Sequence, residues 1–288
     1  MPRIDTIFDE LRSGGKKALM PFVCAGYPAP GALVPALESL KGVGVRIAEV
    51  GIPYSDPIAD GPVIAAAMHE ALREGMTVER VFEQVRGFRA AEGGEAAAVR
   101  DPMVKEMLGG EKPALGLVAM VSVSIVHRCG GLEGFPKRAA EAGFDAVLVP
   151  DLTVEDSEPL VAAAAKAGVS VPMLIAPSTS KARAERIVKT CTGFVYLLAR
   201  AGTTGESAEA PDVAGKVGHL RGMTELPIVV GFGISTAAQV RAAVRHADGV
   251  IVGSAVVRRM GEAKGQAPEA AVRGVRGLVD ELATGLAG

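Results

Sequence analysis

Short apolar runs recur along the whole sequence, each followed by a Gly- or Asp-containing turn and then by a segment with helical spacing. The runs occupy residues 19–25, 47–52, 114–123, 146–150, 171–176, 194–198, 228–231 and 250–252. Segments with helical spacing lie between them, among them 31–40, 77–85, 155–166, 182–189 and 236–246. Strands that alternate with helices of this length pair in parallel, and runs that are apolar throughout are buried on both faces of a sheet.

These strand–helix units predict a TIM (β/α)8 barrel of the α/β class, with an open doubly wound sheet as the structural alternative. Such barrels routinely occupy about 200 to 250 residues as one domain, so a chain of 288 residues is long enough for one barrel. We therefore expect a single domain over residues 1–288 with an extra N-terminal helix. Residues 87–112 interrupt the alternation with paired glycines, an alanine run and an Asp-Pro step, which predicts a surface excursion before strand 3.

The charge balance and composition argue against several classes of partner. Lys and Arg number 31 against 33 Asp and Glu, aromatic residues make up 4%, and Trp is absent. The chain therefore has no net basic excess to neutralise the phosphates of a nucleic acid and few aromatic side chains on which bases could stack. No secretory h-region is present at the N-terminus, and the apolar run 114–126 is shorter than the roughly 18 residues of a membrane helix. The three cysteines, Cys24, Cys129 and Cys191, are widely spaced, which predicts neither a disulfide framework nor a metal knuckle. We expect a cytoplasmic protein with no nucleic-acid or membrane partner.

Two glycine turns have the features of a phosphate site. The chain passes from strand 7 through Gly231 and Gly233 into a helix that Ser235 is predicted to cap. Gly253 and Ser254 repeat the arrangement after strand 8. Backbone N–H groups can approach an anion closely where glycine has no side chain, and a helix N-terminus favours negative charge. TIM barrels often bind a phosphate after strands 7 and 8. The alternative interpretation is that these glycines only permit tight turns.

Two carboxylates near the end of strand 2 are candidates for proton transfer. Glu49 lies in an otherwise apolar strand, where burial favours the neutral form and raises the pKa of the carboxyl. Asp60 follows in a loop at the same end of the barrel. The alternatives are a structural ion pair for Glu49, and for Asp60 the start of a helix that has Pro62 in its first turn.

Other chemistries lack their required residues. A Schiff base needs a lysine on a strand that faces the substrate. The four histidines share no metal-ligand spacing. Helical or loop segments carry Lys41, Lys137, Lys166, Lys181, Lys189 and Lys216. Cys24 ends strand 1 without a basic neighbour and is predicted to be a buried, inert thiol. The residues alone therefore predict a metal-free, cofactor-free enzyme that acts on a small phosphorylated substrate by carboxylate acid/base catalysis. They do not identify the bond that it breaks.

Five stretches together closely resemble the tryptophan synthase alpha family. They are PFVCAGYP at 21–28, EVGIPYSDPIADGP at 49–62, YLLARAGTTG at 196–205, GFGIS at 231–235 and GSA at 253–255. The resemblance spans nearly the whole chain, and the stretch 49–62 is highly specific. It implies a TIM-barrel lyase that cleaves indole-3-glycerol phosphate into indole and glyceraldehyde 3-phosphate by a retro-aldol reaction, without metal or nucleotide.

The resemblance also implies roles for individual residues. Glu49 would act as acid toward indole C3 and as base toward the side-chain hydroxyl, while Asp60 would accept a hydrogen bond from the indole N–H. The implied phosphate site consists of Gly205, Gly233, Gly253 and Ser254. The residues implied to enclose the indole and glycerol portions are Phe22, Ile64, Tyr196 and Phe232, and Thr204 would help to close the site against water.

A partner is implied as well, the pyridoxal-phosphate-dependent beta subunit in an alpha2beta2 heterotetramer, with the loop 53–60 at the interface. One departure from the family concerns strand 3, which usually ends in an aromatic- and Asn-containing stretch but here continues as MVSVSIVH over 120–127. Two further hypotheses stay open at this point. One is another phosphate-binding barrel enzyme, and the other is a noncatalytic activator of a partner subunit.

Overall fold

Eight parallel strands form a nearly closed ring in the computed structural model, which describes residues 2–57, 60–98, 114–199, 213–231, 233–266 and 268–286. The strands are β1 (Ala18–Cys24), β2 (Ile47–Gly51), β3 (Gly116–Met120), β4 (Ala146–Leu148), β5 (Met173–Ile175), β6 (Val195–Leu198), β7 (Ile228–Gly231) and β8 (Gly249–Val252). Their order is β4-β3-β2-β1-β8-β7-β6-β5. Each strand lies within a few residues of its predicted position, because the apolar runs are the parts of the chain that must be buried.

The helices lie between the strands and at the two chain ends. They are α1 (Arg3–Ser13), α2 (Leu33–Gly42), α3 (Pro62–Arg73), α4 (Val78–Ala98), α5 (Val123–Arg128), α6 (Gly131–Ala142), α7 (Glu158–Ala167), α8 (Lys181–Thr190), α9 (Ala214–Arg221), α10 (Ala237–Val244), α11 (Ser254–Gly261) and α12 (Pro268–Ala283). Within the described ranges, none of them is long and apolar enough to cross a membrane.

The ring is closed between β4 and β5 by a short contact rather than by a ladder of several residues. Ala146 and Ser170 form an isolated parallel bridge, in which Val147 N donates to Ser170 O at 2.9 Å and Ser170 N donates to Asp145 O at 3.0 Å. A strand order that begins with β4, ends with β5 and is bridged between them is that of a TIM barrel, so the predicted fold class is confirmed.

Helix α1 is the extra N-terminal helix, and it covers the end of the barrel where the strands begin. Ile4, Ile7, Phe8 and Leu11 are buried at the spacing of one helical face. The Phe8 ring lies 5.8 Å from that of Phe194, just before β6. Because α1 covers this end, an open site can lie at the opposite end of the barrel, where the strands end.

The predicted excursion 87–112 starts later than the sequence indicates. Residues 87–98 continue α4, and Phe88 is buried in the core. Arg89 ties this part of the helix to the barrel, since it donates to Asp145 at 2.6 Å and to Leu115 O, just before β3, at 2.7 Å. These tertiary contacts hold a helix where glycines weaken the local preference. The remainder, 99–112, lies outside the described residues.

Two local predictions are also corrected. The predicted strand 114–123 ends at Met120 and is followed by α5, whose cap Ser122 accepts a hydrogen bond from Ser124 N. The cap of α10 is Thr236 rather than Ser235, because Gln239 stands three residues after Thr236 and completes a reciprocal capping box with it.

Candidate active site

Glu49 lies on β2 and faces into the carboxyl-terminal end of the barrel. It pairs in register with Phe22 on β1 and Val118 on β3, and it is 2% exposed. Its Oε1 atom is buried without a hydrogen-bond partner, and in the described part of the chain no cation pairs with it. The structural ion pair considered for Glu49 therefore has no support among the described residues. A buried carboxyl with an unused oxygen is available to a ligand.

Asp60 lies in the loop between β2 and α3, and its side chain is held by Tyr54. The Tyr54 hydroxyl donates to Asp60 Oδ2 at 2.9 Å, and Asp60 N donates to Pro57 O at 3.1 Å. Helix α3 begins at Pro62 after Gly61, without a side-chain cap. The Asp60 carboxylate therefore does not cap α3, and it is free to face the site.

The two carboxyl groups have different proton affinities because their surroundings differ. Burial, followed by the nearby negative charge of Asp60, raises the pKa of Glu49 from 4.5 to about 8. Burial also raises the pKa of Asp60 to about 6, although the hydrogen bond from Tyr54 opposes the rise. At neutral pH, Glu49 therefore holds a proton while Asp60 is ionised. Two carboxyl groups whose pKa values are pushed apart in this way can serve as acid and anion in one site.

The glycine turns after β7 and β8 lie beside these acids. Gly233 adopts a φ of 71°, a left-handed conformation that favours glycine. Gly253 precedes α11, and Ser254, 8% exposed, is the first residue of that helix. Gly231 has a different role from the one expected, because a Cβ there would overlap the Tyr196 ring. Gly231 thus makes room for an aromatic side chain, and the phosphate-site features remain with the other three residues.

All of the predicted site residues that the structure describes line one small cavity of about 40 Å³. They are Phe22, Glu49, Asp60, Ile64, Tyr196, Gly233, Gly253 and Ser254. The remaining three, Thr204, Gly205 and Phe232, lie outside the described residues. Residues predicted from separate parts of the sequence are therefore brought together at one end of the barrel.

A second, larger cavity of about 340 Å³ adjoins the first and extends toward β4 and β5. Asp60, Met120 and Tyr196 line both cavities. Apolar side chains such as Leu148 and Leu174 make up most of its wall, with Asp151 as an added acid. The smaller cavity suits a compact anion beside the glycine turns, and the larger one suits an apolar ring.

Sequence reasoning did not assign Asp151 or Tyr54 to the site, and it named Met120 only as the start of the atypical stretch 120–127. Met120 lies at the end of β3, Asp151 follows β4, and Tyr54 lies inside the stretch 49–62. Asp151 accepts hydrogen bonds from Ser122 Oγ at 2.9 Å and from Val123 N at 2.8 Å, so it holds the start of α5. Their position after neighbouring parallel strands was the available signal, because such positions meet at one edge of the barrel.

Cys24 is buried as predicted, and burial raises the pKa of its thiol far above its ordinary value. His69 lies on the exposed side of α3, and its Nε2 atom is 2.8 Å from Ser55 O in the loop that carries Asp60. No group of three or more His, Cys, Asp or Glu side chains suited to a metal ion occurs in the ranges that the structure covers.

Comparison with known proteins agrees with this geometry. A family model described as "Tryptophan synthase alpha chain" matches residues 8–286. The tryptophan synthase alpha chain of Halorhodospira halophila is 38% identical over 291 residues, covering 99% of each chain. That of Thioalkalivibrio sulfidiphilus is 38% identical over 98% of each chain.

Comparison with solved structures also shows similarity to tryptophan synthase. A structure of Mycobacterium tuberculosis tryptophan synthase is similar with a TM-score of 0.81 and 31% identity, covering 99% of this chain and 98% of the other. The tryptophan synthase subunit alpha of Legionella pneumophila has a TM-score of 0.77 at 30% identity, covering 97% and 99%. Sequence, fold and the stretches that line the site thus agree, and the chain belongs to the tryptophan synthase alpha chain family.

Proposed function

We propose that Glu49 and Asp60 carry out the reaction of this family. The chain is an indole-3-glycerol-phosphate lyase of tryptophan biosynthesis, by its family membership. The observation that carries the assignment of residues is the unpartnered, buried Glu49 carboxyl in the same cavity as Asp60 and the glycine turns. A buried carboxyl group that has no hydrogen-bond partner in the protein is expected to bind a group of the substrate.

The substrate spans both cavities in this proposal. Its phosphate lies against Gly233, Gly253 and Ser254, where backbone N–H groups and the start of α11 favour an anion. The indole ring occupies the larger apolar cavity, since the volume of about 40 Å³ beside the glycines is too small for it. Asp60 lines both cavities and is therefore in reach of the ring nitrogen.

The proton transfers follow from the two protonation states. Glu49, protonated at neutral pH, gives its proton to indole C3, and the resulting positive charge on the ring is stabilised by the Asp60 carboxylate at the N–H. Glu49, now a carboxylate, accepts the proton of the adjacent side-chain hydroxyl. The carbon–carbon bond breaks as the hydroxyl-bearing carbon becomes the aldehyde, and the bonding electrons return to the ring. Indole and glyceraldehyde 3-phosphate leave, and Glu49 is protonated again.

The assignment is tested by measuring indole release from indole-3-glycerol phosphate with Glu49→Gln and Asp60→Asn. We expect each variant to fold and to lose activity by orders of magnitude. Glu38→Gln and Asp156→Asn are matched controls, because they remove exposed carboxylates from α2 and from the loop after β4. Near-normal turnover in Glu49→Gln or Asp60→Asn would contradict the roles assigned to them.

We further propose that the chain binds a tryptophan synthase beta subunit through the loop 53–60, in an alpha2beta2 heterotetramer. The similarity to solved structures of tryptophan synthase supports this partner. Co-purification with a beta subunit, and a mass of the complex that corresponds to two copies of each chain, would be the expected results. Activation of the beta subunit by a chain that releases no indole would instead select the noncatalytic alternative. The cytoplasmic location stays a prediction.

A further inference from the structure

The side chain of Asp60 is fixed by one described contact. Tyr54 Oη donates to Asp60 Oδ2 at 2.9 Å, and among the described residues no second donor reaches this carboxylate. The other oxygen, Oδ1, is thus left for the substrate. We propose that Tyr54 is a positioning residue that orients the Asp60 carboxylate toward the indole N–H and keeps it ionised. This inference rests on the role proposed for Asp60.

Tyr54 is itself held in place by its neighbours along the chain. Ile52 N donates to Met120 O at 2.9 Å, which fixes the segment just before Tyr54 to the end of β3. The contact of 2.8 Å between His69 Nε2 and Ser55 O fixes the segment just after it to α3. The Tyr54 side chain is 8% exposed, so its ring is packed and its hydroxyl has little freedom to turn away. A donor held at both flanks can impose one orientation on a loop carboxylate.

The charges around Asp60 explain why a donor is needed there. The titratable groups that face it are Glu49 on β2, Asp151 after β4, Tyr196 on β6 and Cys24 at the end of β1. All of these are acids. The cation on the wall of the larger cavity, Arg183, is paired with Glu155 at 2.8 Å. Among the described groups, a hydrogen bond from Tyr54 is therefore the feature that favours the ionised form of Asp60.

The hydroxyl of Tyr54 can donate to Asp60 at every pH at which the Asp60 carboxylate is ionised. Burial and the adjacent negative charge of Asp60 raise the pKa of Tyr54 well above its ordinary value, so the phenol keeps its proton. A phenol that donates to a carboxylate stabilises the charged form and opposes the effect of burial on Asp60.

The test is the pH dependence of kcat/KM for indole release by Tyr54→Phe, which removes one oxygen and keeps the ring. We expect the acid limb, near pH 6 in the unmodified chain, to move up by about one pH unit, because the lost hydrogen bond stabilised the carboxylate. An upward move of one unit lowers activity about fivefold at pH 6 but less than about twofold at pH 8. Tyr27→Phe is the matched control, because it removes a hydroxyl outside both cavities.

A second measurement separates positioning from a structural role. In an Asp60→Asn background, Tyr54→Phe should cause less than about a twofold further loss, since its effect passes through the carboxylate. A uniform loss across pH in the single variant, or a loss of the same size in both backgrounds, would overturn the inference. If the role proposed for Asp60 were wrong, the result would differ, because Asp60→Asn would then release indole as fast as the unmodified chain.

Discussion

Replacing Glu49 by Gln is expected to change how the stability of the protein depends on pH. The Glu49 carboxyl is buried in the barrel with Oε1 unpartnered, so ionisation inside the fold is unfavourable. Gln has nearly the same shape but cannot ionise. The difference between the two chains therefore isolates the pH-dependent contribution of the buried Glu49 carboxyl to the free energy of unfolding.

The magnitude follows from the pKa of Glu49, which is raised from 4.5 to about 8 in the folded state. Between these pH values the folded chain keeps a proton that the unfolded chain releases, so stability present below the unfolded pKa is lost as pH rises toward the folded pKa. Each pH unit inside this window costs about 1.4 kcal/mol. Between pH 5 and pH 7 the free energy of unfolding of the unmodified chain should therefore fall by about 2 to 3 kcal/mol relative to Glu49→Gln.

Equilibrium urea denaturation at pH 5 and pH 7, followed by far-UV circular dichroism, measures this difference. The quantity of interest is the change with pH of the gap between the two chains, because a constant cost of placing an amide in the site cancels from it. Glu38→Gln removes an exposed carboxyl on α2 and reports the general effect of losing one acid.

The reasoning would be refuted if the free energies of unfolding of the unmodified chain and of Glu49→Gln changed by the same amount between pH 5 and pH 7. That result would mean that Glu49 ionises inside the fold as readily as in the unfolded chain. Burial would then not be what keeps this group protonated, and the proposed acid role at neutral pH would lose its physical basis.

Four further outcomes are expected. Activity should rise with pH near 6 as Asp60 ionises and fall near 8 as Glu49 loses its proton, and a pH–rate profile for kcat/KM without two limbs would contradict this. Gly253→Val should raise KM far more than it lowers kcat, because a branched side chain fills the turn assigned to phosphate; an unchanged KM for indole-3-glycerol phosphate would remove that assignment. Asp151→Ala should lower the free energy of unfolding by about 1 kcal/mol through loss of its bonds to the start of α5, as measured by urea denaturation. Asp248, which is buried just before β8, accepts hydrogen bonds from Arg12, Arg221 and Ile228 N. Asp248→Ala should therefore cost about 3 kcal/mol in the same assay, and a loss below about 1 kcal/mol would contradict this reasoning.

Local sequence patterns were sufficient for the strands and for most of the candidate site. Apolar runs of strand length had to be buried, and the parallel order followed from the helices between them. A carboxylate in strand 2 and glycine turns after strands 7 and 8 then fell at one end of the barrel. Their convergence in one cavity is a consequence of barrel closure, and so the residues Glu49, Gly233 and Gly253 could be chosen before the fold was known.

Contacts between distant segments decided what local patterns could not. Helix α4 continues past residue 87 because Arg89 reaches Asp145, which is far away in sequence and carries the compensating charge. Whether Glu49 was a catalyst or half of an ion pair depended on which side chains surround it, and no cation does so among the described residues. The sequence by itself determined the order of strands and helices and the end of the barrel at which the acids lie, because these depend on hydrophobic periodicity and turn chemistry. The tertiary structure alone decided the donor to Asp60 and the burial that separates the two pKa values, because both depend on packing between elements that no local pattern specifies.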